Sequence, residues 1–370
     1  MNLSDVSRNA YMLRGSLAKK GYMRWWHSFR GTCAENGLIR TFFVEYFLLN
    51  PGILNNKIVL EGNSASFCMI KAGAFPDQDN EGVQMNAFYP ITALRMTKEP
   101  FYVKMGESSF SETHLSGSVW ISDRKAMDSS RITDSGSMEW DLSLRKTIAF
   151  HTGAISGPFF TALNALDSFW HGEGIKTQYQ GTVVINGETY EISPETCNGY
   201  ADKHWGRKYQ QPWLQFATNR LFSEKTGKEL KYSAFAADGC YTRFLGLQLK
   251  PKLLLQLTYT GEDFEFSFAR PFSFSRVKWN KKKTNKRIIW QMKACNKKSM
   301  IKCSISCPRR SLFSILYKSP DLQQGNTSLM TSGQTVGVIE LYRKTPEGYL
   351  KLDTLHFEEG ICMYKGGRFI

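Results

Sequence analysis

The strongest constraint on what this 370-residue chain can fold into is a two-residue period that recurs along most of its length. In Asp263-Phe264-Glu265-Phe266-Ser267-Phe268 three phenylalanines alternate strictly with polar residues. Leu115, Gly117, Val119 and Ile121 alternate in the same way with His114, Ser116, Ser118 and Trp120. A strand sends successive side chains to opposite faces, so such a pattern makes one apolar face and one polar face. Turn signals separate the runs. Asn186-Gly187 joins residues 182–185 to 188–192, and Thr260-Gly261-Glu262 joins 253–259 to the phenylalanine run, both as hairpins. Further strands are expected at 23–30, 39–49, 65–72, 136–151, 212–219, 230–237, 285–293, 298–305, 311–317, 335–343 and 349–357. Two segments read as helical: the stretch after Ser4, and Phe159 to Trp170, where Phe159, Leu163, Leu166 and Trp170 fall at helical spacing. With roughly ten strands on each side of residue 200, the expectation is an all-β, mainly antiparallel chain of two tandem domains, 1–200 and 201–370.

Several function classes are poorly supported. There is no Gly-rich phosphate loop after a strand, no GxSxG elbow and no HExxH pair. The eight cysteines include no CxxC spacing, and Cys303 and Cys307 have no second ligand pair beside them, so no metal site is expected. The N-terminus carries Asp5 and no apolar stretch, and the greasiest window, Thr41 to Leu49, is broken by Glu45. It falls short of the about 18 apolar residues of a membrane span, so a cytoplasmic protein, at most peripheral on a membrane surface, is expected.

The net charge of +15 is unevenly placed. Residues 1–195 hold 18 Lys+Arg against 20 Asp+Glu, whereas residues 196–370 hold 30 against 13. Between Arg276 and Arg310 lie thirteen basic residues and no acidic one. Such a stretch suits anionic lipid headgroups, nucleic acid or an acidic partner, and equally a well-solvated lysine-rich hairpin. Lipid is favoured over nucleic acid because the rest of the chain is rich in aromatic and apolar residues that suit a greasy ligand.

One constellation carries chemistry: Trp170-His171-Gly172-Glu173-Gly174, then Gly199-Tyr200-Ala201-Asp202-Lys203-His204-Trp205-Gly206, then Pro212-Trp213. If 199–205 is extended, Tyr200, Asp202 and His204 share one face, while Lys203 and Trp205 share the other. A phenol, a carboxyl and an imidazole in a row offer a donor, an acid and a base to one substrate. Aromatic surroundings would desolvate Asp202 and favour its protonated form. The same segment also reads as a structural corner, with Trp205 plugging a barrel end and Asp202 capping a turn. His171 reads equally as a pocket donor or a turn histidine.

These residues resemble the tocopherol cyclase family. The similarity rests on GYADKHWG, on Tyr22-Met23-Arg24-Trp25-Trp26-His27-Ser28-Phe29, and on Glu45-Tyr46-Phe47 leading to Asn50-Pro51. Lys71-Ala72-Gly73, Met138-Glu139-Trp140 and the spacing from Trp170 to Pro212-Trp213 add to it. It runs from about residue 10 to beyond 270 and is closer to the bacterial members than to the plant enzymes. The resemblance implies two lipocalin-like β-domains with a hydrophobic pocket, and cyclisation of a prenylated hydroquinone to a chromanol with no redox cofactor. Carotenoid hydratases, a related group, are expected to share the architecture and a Tyr-x-Asp pair, here Tyr200 and Asp202. The chain departs from the family where His204 stands in place of the usual Asn, and an imidazole, unlike an amide, takes a proton.

The expected chemistry is that of a cofactor-free intramolecular lyase. Asp202 protonates a prenyl double bond. Rings such as Trp26, Trp170 and Trp205 stabilise the tertiary cation, each by about 2 kcal/mol when desolvated. Tyr200 or His204 holds the attacking phenol, with His171 and Trp213 as further substrate contacts. Hydration of the double bond, or simple carriage of an isoprenoid by a non-catalytic barrel, are the alternatives.

Overall fold

A computed structural model describes residues 9–53, 66–77, 79–150, 168–207, 213–244, 247–267, 275–321 and 325–365; for residues 213, 240–244 and 247–252 it describes the backbone only. The chain is predominantly antiparallel β, as the two-residue period requires. It divides into two compact units. One comprises Met1–His151, Asp167–Tyr209 and Ile315–Ser328; the other comprises Thr152–Leu166, Gln210–Ser314 and Leu329–Ile370. Among the described residues no helix is long and apolar enough to cross a membrane.

Among the described residues, the first unit is built mainly on a twelve-stranded sheet. Its strands are β1 (Tyr22–Cys33), β2 (Ile39–Leu49), β3 (Phe67–Ala74), β4 (Val83–Tyr89), β5 (Leu94–Thr97) and β6 (Tyr102–Met105). These are followed by β7 (Ser108–Ser111), β8 (His114–Ile121), β9 (Gly136–Phe150), β10 (Ser168–Ile185), β11 (Glu188–Ile192) and β12 (Gly199–Gly206). The spatial order is β4-β3-β2-β1-β11-β10-β9-β8-β7-β6-β5, and β12 also bridges β1 and β10. The sheet curls on itself: on β4, the Gln84 backbone N–H donates to Asp134 Oδ2 at 2.7 Å and the Asn86 side chain to the Ile132 carbonyl at 2.7 Å, just before β9. Asn186 and Gly187 have φ of 50° and 88°, the left-handed pair that a tight β10–β11 hairpin needs, and Ile185 faces Glu188 across it.

The second unit is built from two antiparallel sheets. One contains, in spatial order, Glu262–Phe266, Leu247–Tyr259, Ala234–Phe244, Trp213–Thr218 and Ile361–Lys365. The other runs Lys228–Glu229, Phe222–Ser223, Gly348–Phe357, Val336–Thr345, Ser299–Pro308, Arg287–Cys295 and Arg276–Lys283. Their apolar faces meet around Trp290, whose ring lies 4.9 Å from Phe216 and 5.4 Å from Tyr364 of the facing sheet. Cys303 and Cys307 are strand residues in this core.

The helical expectations need correction. Trp170 lies on the eighteen-residue strand β10, not on a helix; residues 159–167 of that expected helix are outside the described residues. The first half of β10 is buried on both faces, so the polar/apolar contrast that marks a strand is missing where the expected helix was to end. After Ser4, residues 5–8 are likewise outside the described residues, and a helical turn forms at Ser16–Lys19.

Gly199 opens β12 because no side chain fits there. A Cβ at this position would lie 2.1 Å from the Thr177 carbonyl oxygen and 2.5 Å from the Tyr179 ring. Gly199→Ala should therefore force β12 away from β10 and destabilise the protein by about 1–3 kcal/mol, the usual cost of overpacking. A urea midpoint unchanged from wild type would contradict this.

Candidate functional site

The site follows from register. In the pairing of β1 with β12, Trp26 stands opposite Asp202, Arg24 opposite His204 and Ser28 opposite Tyr200. On its other side Trp26 faces Glu45 of β2, and Glu45 faces Lys71 of β3. Cross-strand partners share a face, so one side of four adjacent strands gathers Tyr22, Arg24, Trp26, Glu45, Lys71, Tyr200, Asp202 and His204, all buried. Tyr317, which belongs to the same unit, packs against this face.

Asp202 Oδ2 accepts hydrogen bonds from the Trp170 indole at 2.8 Å and the Tyr200 hydroxyl at 2.9 Å. Arg24 lies between two carboxyls, 3.7 Å from Asp202 Oδ2 and 3.6 Å from Glu45 Oε2, with no exposed side-chain surface on any of the three. Glu45 Oε2 also accepts from the Tyr317 hydroxyl at 2.7 Å. Lys71 Nζ donates to the Leu316 carbonyl at 2.9 Å and sits 3.4 Å from the centre of the Tyr317 ring. Two carboxyls thus share the face with one permanent cation and one lysine. Unpaired buried charge is costly, so such a cluster persists only because its members compensate one another.

The protonation states follow from burial. Desolvation, opposed by Glu45 and reinforced by Arg24, pushes the Lys71 ammonium down to about 7. Desolvation, then the adjacent Asp202 carboxyl, drives the Tyr200 phenol well above its ordinary range; for Tyr317 desolvation and Glu45 do the same. Both hydroxyls are therefore donors. Burial, with Arg24 nearby, pushes His204 well below the ordinary imidazole range, so the ring is neutral at physiological pH. Its Nδ1 lies 2.6 Å from the Tyr22 hydroxyl, and the two rings stack at 5.7 Å. A neutral imidazole held this way can accept a proton, which an Asn at the same position could not.

The structure brings Trp26 and Trp170 to Asp202. The Trp26 ring stacks on Phe43 at 5.0 Å and carries the Arg24 guanidinium 5.4 Å above it. Trp205 and His171 are placed elsewhere, because strand alternation sends them to the opposite face. Trp205 stacks on Phe169 at 5.3 Å, and His171 is the register partner of Lys203. Lys203 faces away from Asp202, as its position in the alternation requires. Its Nζ donates to the Ala10 carbonyl and lies 5.3 Å and 5.1 Å from the Trp25 and Trp205 rings. The Trp213 side chain lies outside the described residues.

Five members of the cluster were not singled out from sequence as site residues: Arg24, Glu45, Lys71, Tyr22 and Tyr317. The first three do leave a signal. Each is the lone charge in an otherwise largely apolar run: YMRWWHSF, TFFVEYFLL and FCMIKAGAF. A charge in the middle of a strand buried on both faces must find a partner on a neighbouring strand.

No family model and no curated protein matches the chain. Among solved structures, it is similar to a Nitrosomonas europaea protein assigned as AttH, with a TM-score of 0.47 and 11% identity over 93% of this chain and 92% of that one. It is also similar to kievitone hydratase from Nectria haematococca, with a TM-score of 0.46 and 12% identity over 97% and 94% of the two chains. Likenesses this distant say nothing about activity. The tocopherol cyclase resemblance continues to rest on the motifs themselves.

Proposed function

We propose that the protein adds an O–H group across a trisubstituted isoprenoid double bond by acid–base catalysis, without a redox cofactor. The observation that carries this reading is Asp202: a wholly buried carboxyl whose Oδ2 accepts from Trp170 and Tyr200 and lies 3.7 Å from the Arg24 guanidinium. With Oδ2 engaged by these groups, Oδ1 is the oxygen assigned to carry the proton that the reaction transfers.

Asp202 delivers that proton to the less substituted alkene carbon, and the positive charge develops on the tertiary carbon. Trp170 offers a ring face to this cation, worth about 2 kcal/mol when water is excluded, whereas the Trp26 ring is already taken up by Phe43 and the Arg24 guanidinium. A hydroxyl oxygen then bonds to the tertiary carbon. Its proton passes to the neutral His204 imidazole or returns to the Asp202 carboxylate, which restores the resting state. When the hydroxyl is the substrate's own hydroquinone group, the product is a chromanol and the reaction is an isomerisation. This is the form that the tocopherol cyclase resemblance favours.

The polar character of the site favours a second form. Arg24, Glu45, Lys71 and Tyr317 set polar groups near Asp202 that suit water better than a hydrocarbon, and water as the nucleophile gives a tertiary alcohol instead.

Anaerobic incubation of the purified protein with a phytylated dimethylhydroquinone in D2O tests both forms. Chromanol with one carbon-bound deuterium is the expected result. Tertiary alcohol labelled from H2 18O would assign the hydratase form. Unchanged substrate that nevertheless remains bound would replace catalysis with carriage.

A further inference from the structure

The basic face of the second unit has no part in that chemistry. Strands Arg276–Lys283 and Arg287–Cys295 form a hairpin, followed in the sheet by Ser299–Pro308 and Val336–Thr345. Alternation turns Met292, Ala294, Ile301 and Cys303 into the core and leaves the other side to solvent. On that outer side Lys278, Lys293 and Lys302 are register partners, so three lysines stand abreast on adjacent strands about 5 Å apart. Lys282 extends the array along the first strand, and the exposed Lys283 and Lys286 lie at the hairpin tip. A broad, shallow groove of about 550 Å³ runs across this face.

Like charges opposite one another on neighbouring strands are destabilising. Here they are barely compensated. Glu340 lies 3.7 Å from Lys302 and 3.5 Å from Lys351. Among the described residues, no carboxylate lies within ion-pair distance of Lys278, Lys282, Lys283, Lys286 or Lys293. Fold stability gives no reason to place a largely uncompensated two-dimensional array of cations on one sheet face.

We propose that this face docks the protein on an anionic phospholipid bilayer. The array is spread over three strands and the turn that joins the first two, which matches a surface of laterally mobile headgroups. Single-stranded nucleic acid is bound by exposed rings on which bases stack. The rows Lys278–Lys293–Lys302 and Asn280–Gln291–Ser304 contain none, and the nearby Tyr342 ring is covered by Lys302 Nζ at 4.9 Å. The docking surface is independent of the catalytic reading.

The test is co-sedimentation of the full chain with vesicles of phosphatidylcholine, with and without phosphatidylserine. Binding should require phosphatidylserine and weaken in high salt. K278E/K293E should lose affinity at least about twenty-five-fold, from roughly fivefold per lysine. K98E/R124E makes the same charge change on exposed residues of the first unit and should bind as wild type does. Far-ultraviolet circular dichroism checks that both variants fold. Equal binding to neutral vesicles, or equal loss in the two variants, would overturn the proposal. So would steeply salt-dependent binding to duplex DNA or RNA with no vesicle binding, which would assign the face to nucleic acid.

Discussion

Asp202→Asn is expected to lower turnover by roughly a hundred- to ten-thousand-fold, the range for loss of a general acid, while leaving the fold and ligand affinity close to wild type. The variant is informative because the hydrogen bonds around position 202 do not depend on charge. The Trp170 indole and the Tyr200 hydroxyl both donate to Oδ2, and an amide oxygen in the same place accepts from both. Nor does the change strand a cation, because Glu45 lies as near to the Arg24 guanidinium as Asp202 does. What the amide cannot do is give up a proton at the potential of a carboxylic acid. Activity retained by the variant would remove Asp202 as the acid. Loss of the cooperative unfolding transition together with activity would make Asp202 a structural residue, the corner reading of GYADKHWG. Binding retained with no turnover in either protein would leave a carrier.

How much of this was legible in the sequence depended on the distance over which information had to travel. The common face of Tyr200, Asp202 and His204 needs only the local two-residue period, so it could be read from GYADKHWG alone. The Asn186-Gly187 hairpin was legible for the same reason. That Trp26 rather than its neighbour Trp25 stands beside Asp202 depends on the register between β1 and β12, more than 170 positions apart, and local pattern does not fix that register. Arg24, Glu45 and Lys71 were visible as isolated charges, but their convergence rests on the same long-range registers. Tyr317 was out of reach altogether. It comes from residues 315–328, which join the first unit from a distant part of the chain. Of the helix expected to end at Trp170, the end itself lies on a strand buried on both faces, where the contrast that distinguishes one periodicity from another is lost.

Lys71 gives the other large effect, on stability against pH. Burial pushes its folded-state value down to about 7, against 10.5 for an exposed lysine in the unfolded chain. Below pH 7 the residue is charged in both states, and the cost of burying that charge is felt in full. Between pH 7 and about 10 the unfolded chain binds the proton and the folded protein does not, so stability rises with pH across that window. From pH 7 to 9 the gain amounts to about 2 kcal/mol, at 1.36 kcal/mol for each unit of unequal titration. Lys71→Met carries no proton in either state and should lack this gain, while Glu45 keeps its contacts with Arg24 and Tyr317. Other buried groups, among them Lys203 and His204, also titrate differently on folding, but they contribute equally to both proteins and cancel in the difference. The measurement is urea unfolding of wild type and Lys71→Met at intervals from pH 6 to 9. Relative to the variant, wild type should be unchanged from pH 6 to just below 7 and then gain steadily. Parallel curves throughout would mean that Lys71 keeps its proton in the folded state up to pH 9. The cluster would then hold two fixed cations against Glu45 and Asp202. A steady relative gain beginning above pH 7 would mean instead that the charge around the proposed acid changes by one unit near neutral pH.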